Sequence, residues 1–160
     1  MKISMWAYIA GLFDGDGNFF IMYKRSKKSA SIGVGLQISS STPKNLKPMI
    51  SFLKENGIYM GIYGVSEEQK AKDDWRTHGT YILSVQKQKS VKKLCLSMYP
   101  HLLLKKDTCD IILDIIRLKE EIKQDKKRKI VDNLHIFDVY RYKLHSYSRK
   151  GIRTLKPWIY

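Results

Sequence analysis

"YIAGLFDGDGNFFIMYKR", residues 8–25, changes its hydrophobic period within four residues. On the N-terminal side Ile3, Trp6, Ala10 and Phe13 fall on one stripe, with Ile9 and Leu12 beside it. That spacing predicts a helix over 3–13. On the C-terminal side, residues 17–26 are aromatic and apolar and predict a strand. Between the two stand Asp14 and Asp16, each beside a glycine. Two acids at a helix C-terminus oppose the macrodipole, which favours cations there. Something must compensate them. Along one side of the same helix Ala7, Gly11 and Gly15 recur at every fourth residue. Small residues at that spacing let a second helix backbone come close, or let the helix pack tightly on its own sheet.

Outward from this junction, residues 31–39 alternate strictly. Ile32, Val34, Leu36 and Ile38 face one way, and Ser31, Gly33, Gly35, Gln37 and Ser39 the other. Such a strand has one core face and one wet face. Thr42-Pro43 starts a second helix, with Gly57 as its stop and Pro48 expected to kink or delay it. Residues 58–63 and 77–87 read as two further strands, joined by a long polar segment. A short helix begins at Ser90, a long one covers 107–123, and another covers 131–144. The tail is basic and aromatic. Strand pairs set between helices predict an α+β fold in one domain spanning 1–160. Its antiparallel sheet carries helices on one face.

The chain holds 30 Lys and Arg against 15 Asp and Glu, a net charge of +15. The excess is uneven, +4 over residues 1–80 and +11 over 81–160. The expected partner is a polyanion, nucleic acid first. Nothing at the N-terminus reads as a signal peptide. Cys95 and Cys109 fit no zinc or redox spacing and are expected as reduced core thiols. An intracellular setting, cytoplasm or organelle, is expected.

Asp14, Asp16 and Asn18 have the 1, 3, 5 spacing of a calcium loop, but the loop's later positions fall on Phe19 and Arg25, which excludes it. A turn capped by glycines leaves the acids uncompensated. A divalent cation held by a carboxylate and helix-end carbonyls supplies what is missing. Beside a phosphate backbone that cation also becomes a catalytic centre.

The stretch "IAGLFDGDG", Ile9–Gly17, resembles the LAGLIDADG motif of homing endonucleases. Ala10, Gly11, Leu12, Asp14, Asp16 and Gly17 match it letter for letter. The order of elements resembles the family over residues 1 to about 125. The resemblance implies an αββαββα core with a saddle-shaped, four-stranded antiparallel sheet, here followed by an extra C-terminal helix and tail over 131–160. A single copy of the motif resembles the homodimeric members, whose motif helices pack together through Ala7, Gly11 and Gly15. It further implies Mg²⁺-dependent hydrolysis of one phosphodiester per strand, giving a staggered double-strand cut in a long pseudo-palindromic site. Ca²⁺ is expected to bind without supporting cleavage. Asp16 would hold the metal with the Gly15 carbonyl beside it, and Asp14 would serve the turn. The family's catalytic lysine falls on Lys105, with Lys106 as the neighbouring alternative. Its polar water-positioning residue falls on Ser40.

The resemblance implies that the wet face of the sheet lies in the major groove of double-stranded DNA. Alternation then assigns Asn18, Phe20, Met22, Lys24 and Ser26 from the first strand to that face. The second offers Ser31, Gly33, Gly35 and Gln37, and the fourth Thr80, Ile82, Ser84 and Gln86. Lys27, Lys28, Arg76 and His78 stand at strand ends and suit bases or phosphates. Arg149, Lys150, Arg153 and Lys156 in the tail suit phosphates. Two readings on the same fold compete with the endonuclease, namely an intron-splicing maturase that binds RNA and a catalytically inactive DNA-binding protein.

Overall fold

The computed structural model describes residues 4–25, 30–40, 43–64, 81–125 and 129–147. Helix α1 (Met5–Asp16) runs directly into strand β1 (Gly17–Arg25). Strand β2 (Ala30–Ser40), helix α2 (Pro43–Glu55), and strands β3 (Gly61–Gly64) and β4 (Tyr81–Val85) follow. Helix α3 (Gln88–Met98) ends in a 3₁₀ turn at Tyr99–His101. Helix α4 (Lys106–Gln124), a 3₁₀ turn at Ile130–Asn133 and helix α5 (Leu134–Ser146) complete the described chain. The strands form one antiparallel sheet in the order β1-β2-β4-β3. The α+β architecture expected from the element order is what the chain adopts.

The core lies on one side of this sheet. Phe19, Ile32, Val34, Leu36, Ile38, Leu83 and Val85 belong to one alternation set, and all are buried. They meet Ile9, Ala10 and Phe13 of α1, Leu46, Met49 and Leu53 of α2, and the apolar stripes of α3, α4 and α5 in one cluster. Cys95 and Cys109 sit in it as fully buried free thiols. A hydrogen bond with the Cys109 thiol, together with burial, pushes the Cys95 thiol well above its usual range, which keeps it protonated and inert. Among the described residues no helix is long and apolar enough to cross a membrane.

One helix end differs from the sequence reading. α1 continues a turn beyond Phe13, so both aspartates are helical. Neither glycine beside them adopts a left-handed conformation; Gly17 is extended, with φ −80° and ψ 156°. A Cβ at Gly17 would fall 2.2 Å from the Phe13 ring, so glycine is needed there for close approach. α2, by contrast, ends as expected. Gly57 (φ 66°) donates to the Lys54 carbonyl and Ile58 to that of Leu53, which is a Schellman closure. Pro48 leaves α2 continuous, because it lies on the exposed side, where water can serve the carbonyl it leaves unpaired. β3 begins at Gly61, three residues into the run that predicts it, and β4 ends at Val85, two residues before its run does. Residues 65–80 between them lie outside the described chain.

Candidate functional site

The last turn of α1 and the loop before α4 are 89 to 92 residues apart in sequence and are bonded together here. The Asp14 carboxylate accepts the backbone N–H of Leu103 at 2.7 Å and that of Lys105 at 3.0 Å. The Lys105 ammonium donates to the carbonyl oxygens of Phe13 (2.7 Å) and Asp14 (2.5 Å). An ammonium on the terminal carbonyls is the cation that the macrodipole favours. The compensation expected from a metal alone therefore comes in part from Lys105, and the two amides satisfy Asp14. Lys106 is exposed, with its Nζ 5.3 Å from the Tyr99 ring centroid, away from these carbonyls. The geometry thus separates the two neighbouring lysines.

This loop accounts for an oddity in "HLLLKK". Leu102 is buried, but Leu103 and Leu104 are 87% and 69% exposed. The apolar run is held by its amides, through Asp14. The amide of Leu103 is a site element with no signature in the sequence, because any residue but proline carries one.

Asp16 is exposed at the end of the helix. Ser39, not Ser40, reaches it, with Oγ donating to the Asp16 carbonyl oxygen at 3.5 Å. Ser40 pairs with Tyr81 and belongs to the opposite alternation set, on the side of Ile38. The register that pairs Gly17 with Ile38 puts position 39 opposite Asp16, and one residue in a strand is the other face. The Gly15 carbonyl belongs to the last turn of α1, beside Asp16. No three His, Cys, Asp or Glu side chains cluster as metal ligands among them. One carboxylate with a nearby carbonyl is nonetheless a hard oxygen donor set. It fits Mg²⁺, which takes one or two carboxylates and completes its shell with phosphate and water.

The wet face is built by register. Asn18, Gln37, Ser84 and Gly61 form one row across all four strands, and Ser39, Ile82 and Tyr63 form the row beside Asp16. Met22 pairs with Gly33, and Phe20 with Gly35. A Cβ at Gly35 would meet the Phe20 ring at 2.4 Å, and one at Gly33 would meet the Met22 Cε at 2.9 Å. These glycines make room for large cross-strand neighbours and offer no side chain of their own to a ligand. Ser31 is exposed in register with Lys24, of which the backbone alone is described. Ser26, Lys27, Lys28, Arg76, His78, Thr80, Arg149, Lys150, Arg153 and Lys156 lie outside the described residues. On α1, Gly11 and Gly15 are exposed, Ala7 is half-buried, and a Cβ at either glycine would meet nothing within 4 Å. That side of the helix is open and was not cleared for packing within this chain.

The family model for LAGLIDADG endonucleases matches residues 9–106. The chain belongs to the LAGLIDADG endonuclease family. Among curated proteins no match is found. Solved structures of LAGLIDADG proteins share its fold. The homing endonuclease I-CvuI, crystallised with its target in the presence of calcium, is 19% identical, with a TM-score of 0.67 over 94% of this chain and 86% of that one. The archaeal intron-encoded I-Vdi141I, complexed with DNA, is 18% identical, with a TM-score of 0.70 over 95% and 89%. The LAGLIDADG enzyme I-GzeII, in complex with its DNA target, is 14% identical, with a TM-score of 0.61 over 97% of this chain but 47% of its own. At these identities the likeness is one of fold.

Proposed function

We propose that this LAGLIDADG endonuclease cuts both strands of a long, pseudo-palindromic DNA site as a Mg²⁺-dependent homodimer, leaving staggered ends. The observation that carries this reading is the corner where Asp16 and Lys105 converge on the end of α1, at the edge of a polar sheet face. A maturase or an inactive binder needs no such pair. Solved relatives of this fold that hold DNA support the substrate.

Asp16 and the Gly15 carbonyl are the groups that would hold a divalent cation. Once bound, the cation supplies the Lewis acid that phosphodiester hydrolysis requires. The chain's own residues do the rest. Asp14 holds the 103–105 loop on the helix end, which brings the Lys105 ammonium to the reacting phosphate. There it offsets charge developing on the phosphoryl oxygens and can give or take a proton at Nζ. Ser39 takes the place at Asp16 that the family's pattern would give to Ser40. The wet face reads base edges, and the basic loops and tail, Arg149 and Lys150 included, neutralise phosphates. Binding therefore weakens steeply with salt. Two subunits each about 40 Å across cover roughly 20 base pairs. We place the protein inside the cell, where its DNA is.

The open side of α1 supports the dimer. Gly11 and Gly15 leave room for a second helix, and I-GzeII, about twice as long, is matched over half its length. Asp16→Asn is expected to lower cleavage in Mg²⁺ by on the order of a thousandfold while leaving DNA affinity in Ca²⁺ within about threefold. Cleavage equal to that of the native chain removes Asp16 from the chemistry. Gly11→Leu is expected to leave a folded monomer. Dimers in sedimentation at micromolar concentration would show that the helices do not meet there.

A further inference from the structure

The far edge of the wet face carries a recess that the site above does not use. It has a volume of about 300 Å³ and is lined by Tyr59, Gly61, Tyr63, Ser84, Gln86 and Lys87, among others. Its floor is Ser84, only 5% exposed although it belongs to the polar face. Opposite Ser84, β3 has Gly61, which leaves the space open. Tyr63 leans back along its strand, so that a Cβ at 61 would come within 2.8 Å of its hydroxyl. On the other wall the Lys87 ammonium stands 4.6 Å over the Tyr59 ring. Gln86 closes the recess. Its Nε2 donates to the Ser84 Oγ at 3.1 Å, while the side chain itself is exposed.

That bond decides what Gln86 can recognise. A free glutamine has several rotamers to lose on binding. One tied through a single N–H has its amide plane set in advance, with the second N–H and the carbonyl oxygen left for a ligand. A donor beside an acceptor is the complement of adenine's N7 and N6–H₂ in the major groove. The thymine paired with that adenine presents a methyl group in the same groove, and Tyr63 supplies an aromatic wall for it. Lys87, steadied by Tyr59, is placed for a flanking phosphate. Gln86 is about two strands across and four residues along from the Ser39–Ile82 row beside Asp16. At strand spacings of about 4.8 Å and rises of about 3.3 Å that is roughly 16 Å, or about five base pairs.

We propose that this recess is a specificity subsite for one A·T pair in each half-site, about five base pairs outward from the cut, with Gln86 reading the adenine, Ser84 positioning Gln86, and Tyr63 contacting the thymine methyl. The proposal rests on the DNA-cutting reading above and goes beyond it by naming the base and the residues that choose it.

The test is binding selection in Ca²⁺ from a randomised duplex library, followed by base analogues in the selected site. The native chain selects adenine at one position per half-site. Gln86→Ala flattens that position, a loss of discrimination of about tenfold to a hundredfold, and leaves the others unchanged. Gln86→Glu moves the preference to cytosine, whose N4 amine donates to a carboxylate. Ser84→Ala weakens the same position by a smaller factor, since the glutamine remains but is no longer held. Replacing the adenine by 7-deazaadenine lowers native affinity about tenfold and leaves that of Gln86→Ala unchanged. Replacing its thymine by deoxyuridine lowers native affinity a few-fold and does not affect Tyr63→Ala. If the native chain selects a site and Gln86→Glu selects the same one, the endonuclease reading stands and the recess has no part in specificity. A uniform loss of affinity across all sequences makes Gln86 a backbone contact and overturns the proposal equally. If the native chain selects no site, both readings fall together.

Discussion

The two faces of β2 share a backbone and differ in every other respect. On one, Ile32, Val34, Leu36 and Ile38 are at most 3% exposed and contact the helices. On the other, Ser31, Gly33, Gly35, Gln37 and Ser39 carry no charge and little bulk. The second face is not simply the first one wetted. Two of its positions are glycines because Met22 and Phe20 lie across them, so apolar surface is spread over the polar side as well. A face that must meet base edges gains from this, because thymine methyls need apolar partners and amides need polar ones. This sheet divides its labour by face. Stability is stored on the helix side and recognition on the open side.

The largest loss of stability is therefore expected on the core face. Leu36→Ala deletes a fully buried side chain at the centre of the sheet, between β1 and β4. It is expected to cost about 2–5 kcal/mol in urea unfolding. Base preference among whatever molecules remain folded is expected to be unchanged. A shift in preference without a loss of stability would break the division.

A smaller effect is expected at the corner where the faces meet. Asp14→Ala removes the acceptor of two amides and releases the loop that carries Lys105. Water can reach part of that site, so the expected cost is about 1–2 kcal/mol. Cleavage in Mg²⁺ is expected to fall further than DNA affinity in Ca²⁺, because Lys105 loses its anchor while the sheet keeps its contacts. Equal losses of both would make Asp14 a plain structural residue.

How far these regions could be read beforehand follows the same line. The core face of β2 was legible residue by residue, since strict alternation is a local signal and burial obeyed it. So was the alternation of Asn18, Phe20 and Met22 in β1 and of Ile82 and Ser84 in β4, which the register brings into rows with β2. The corner was legible only in its residue types. Asp14, Asp16 and Lys105 stand out by motif, but the ammonium that serves the end of α1 is delivered from far along the chain. No local window contains that. Nor does any contain the register of β1 on β2, which brings Ser39 to Asp16. The recess was the least legible part, because it depends on Gly61 facing Ser84 across two short strands joined by a long segment.

The smallest effect on stability is expected at Gln37, and it tests the division most closely. Gln37 stands one residue from Leu36 and points the other way, between Asn18 and Ser84 in the row that crosses the sheet. It is half-buried, and its side chain makes no hydrogen bond within the described residues. Gln37→Ala should stay within about 0.5 kcal/mol of the native chain in urea, as surface substitutions without a structural duty do. The same substitution should weaken base discrimination at one position per half-site, nearer the cut than the Gln86 position because its row lies closer to Asp16. Two adjacent residues would then fail in opposite ways, one by unfolding and one by losing selectivity. If Gln37→Ala instead destabilises the fold as Leu36→Ala does, the open face holds the sheet together as well, and its polar residues cannot be assigned to recognition by position alone.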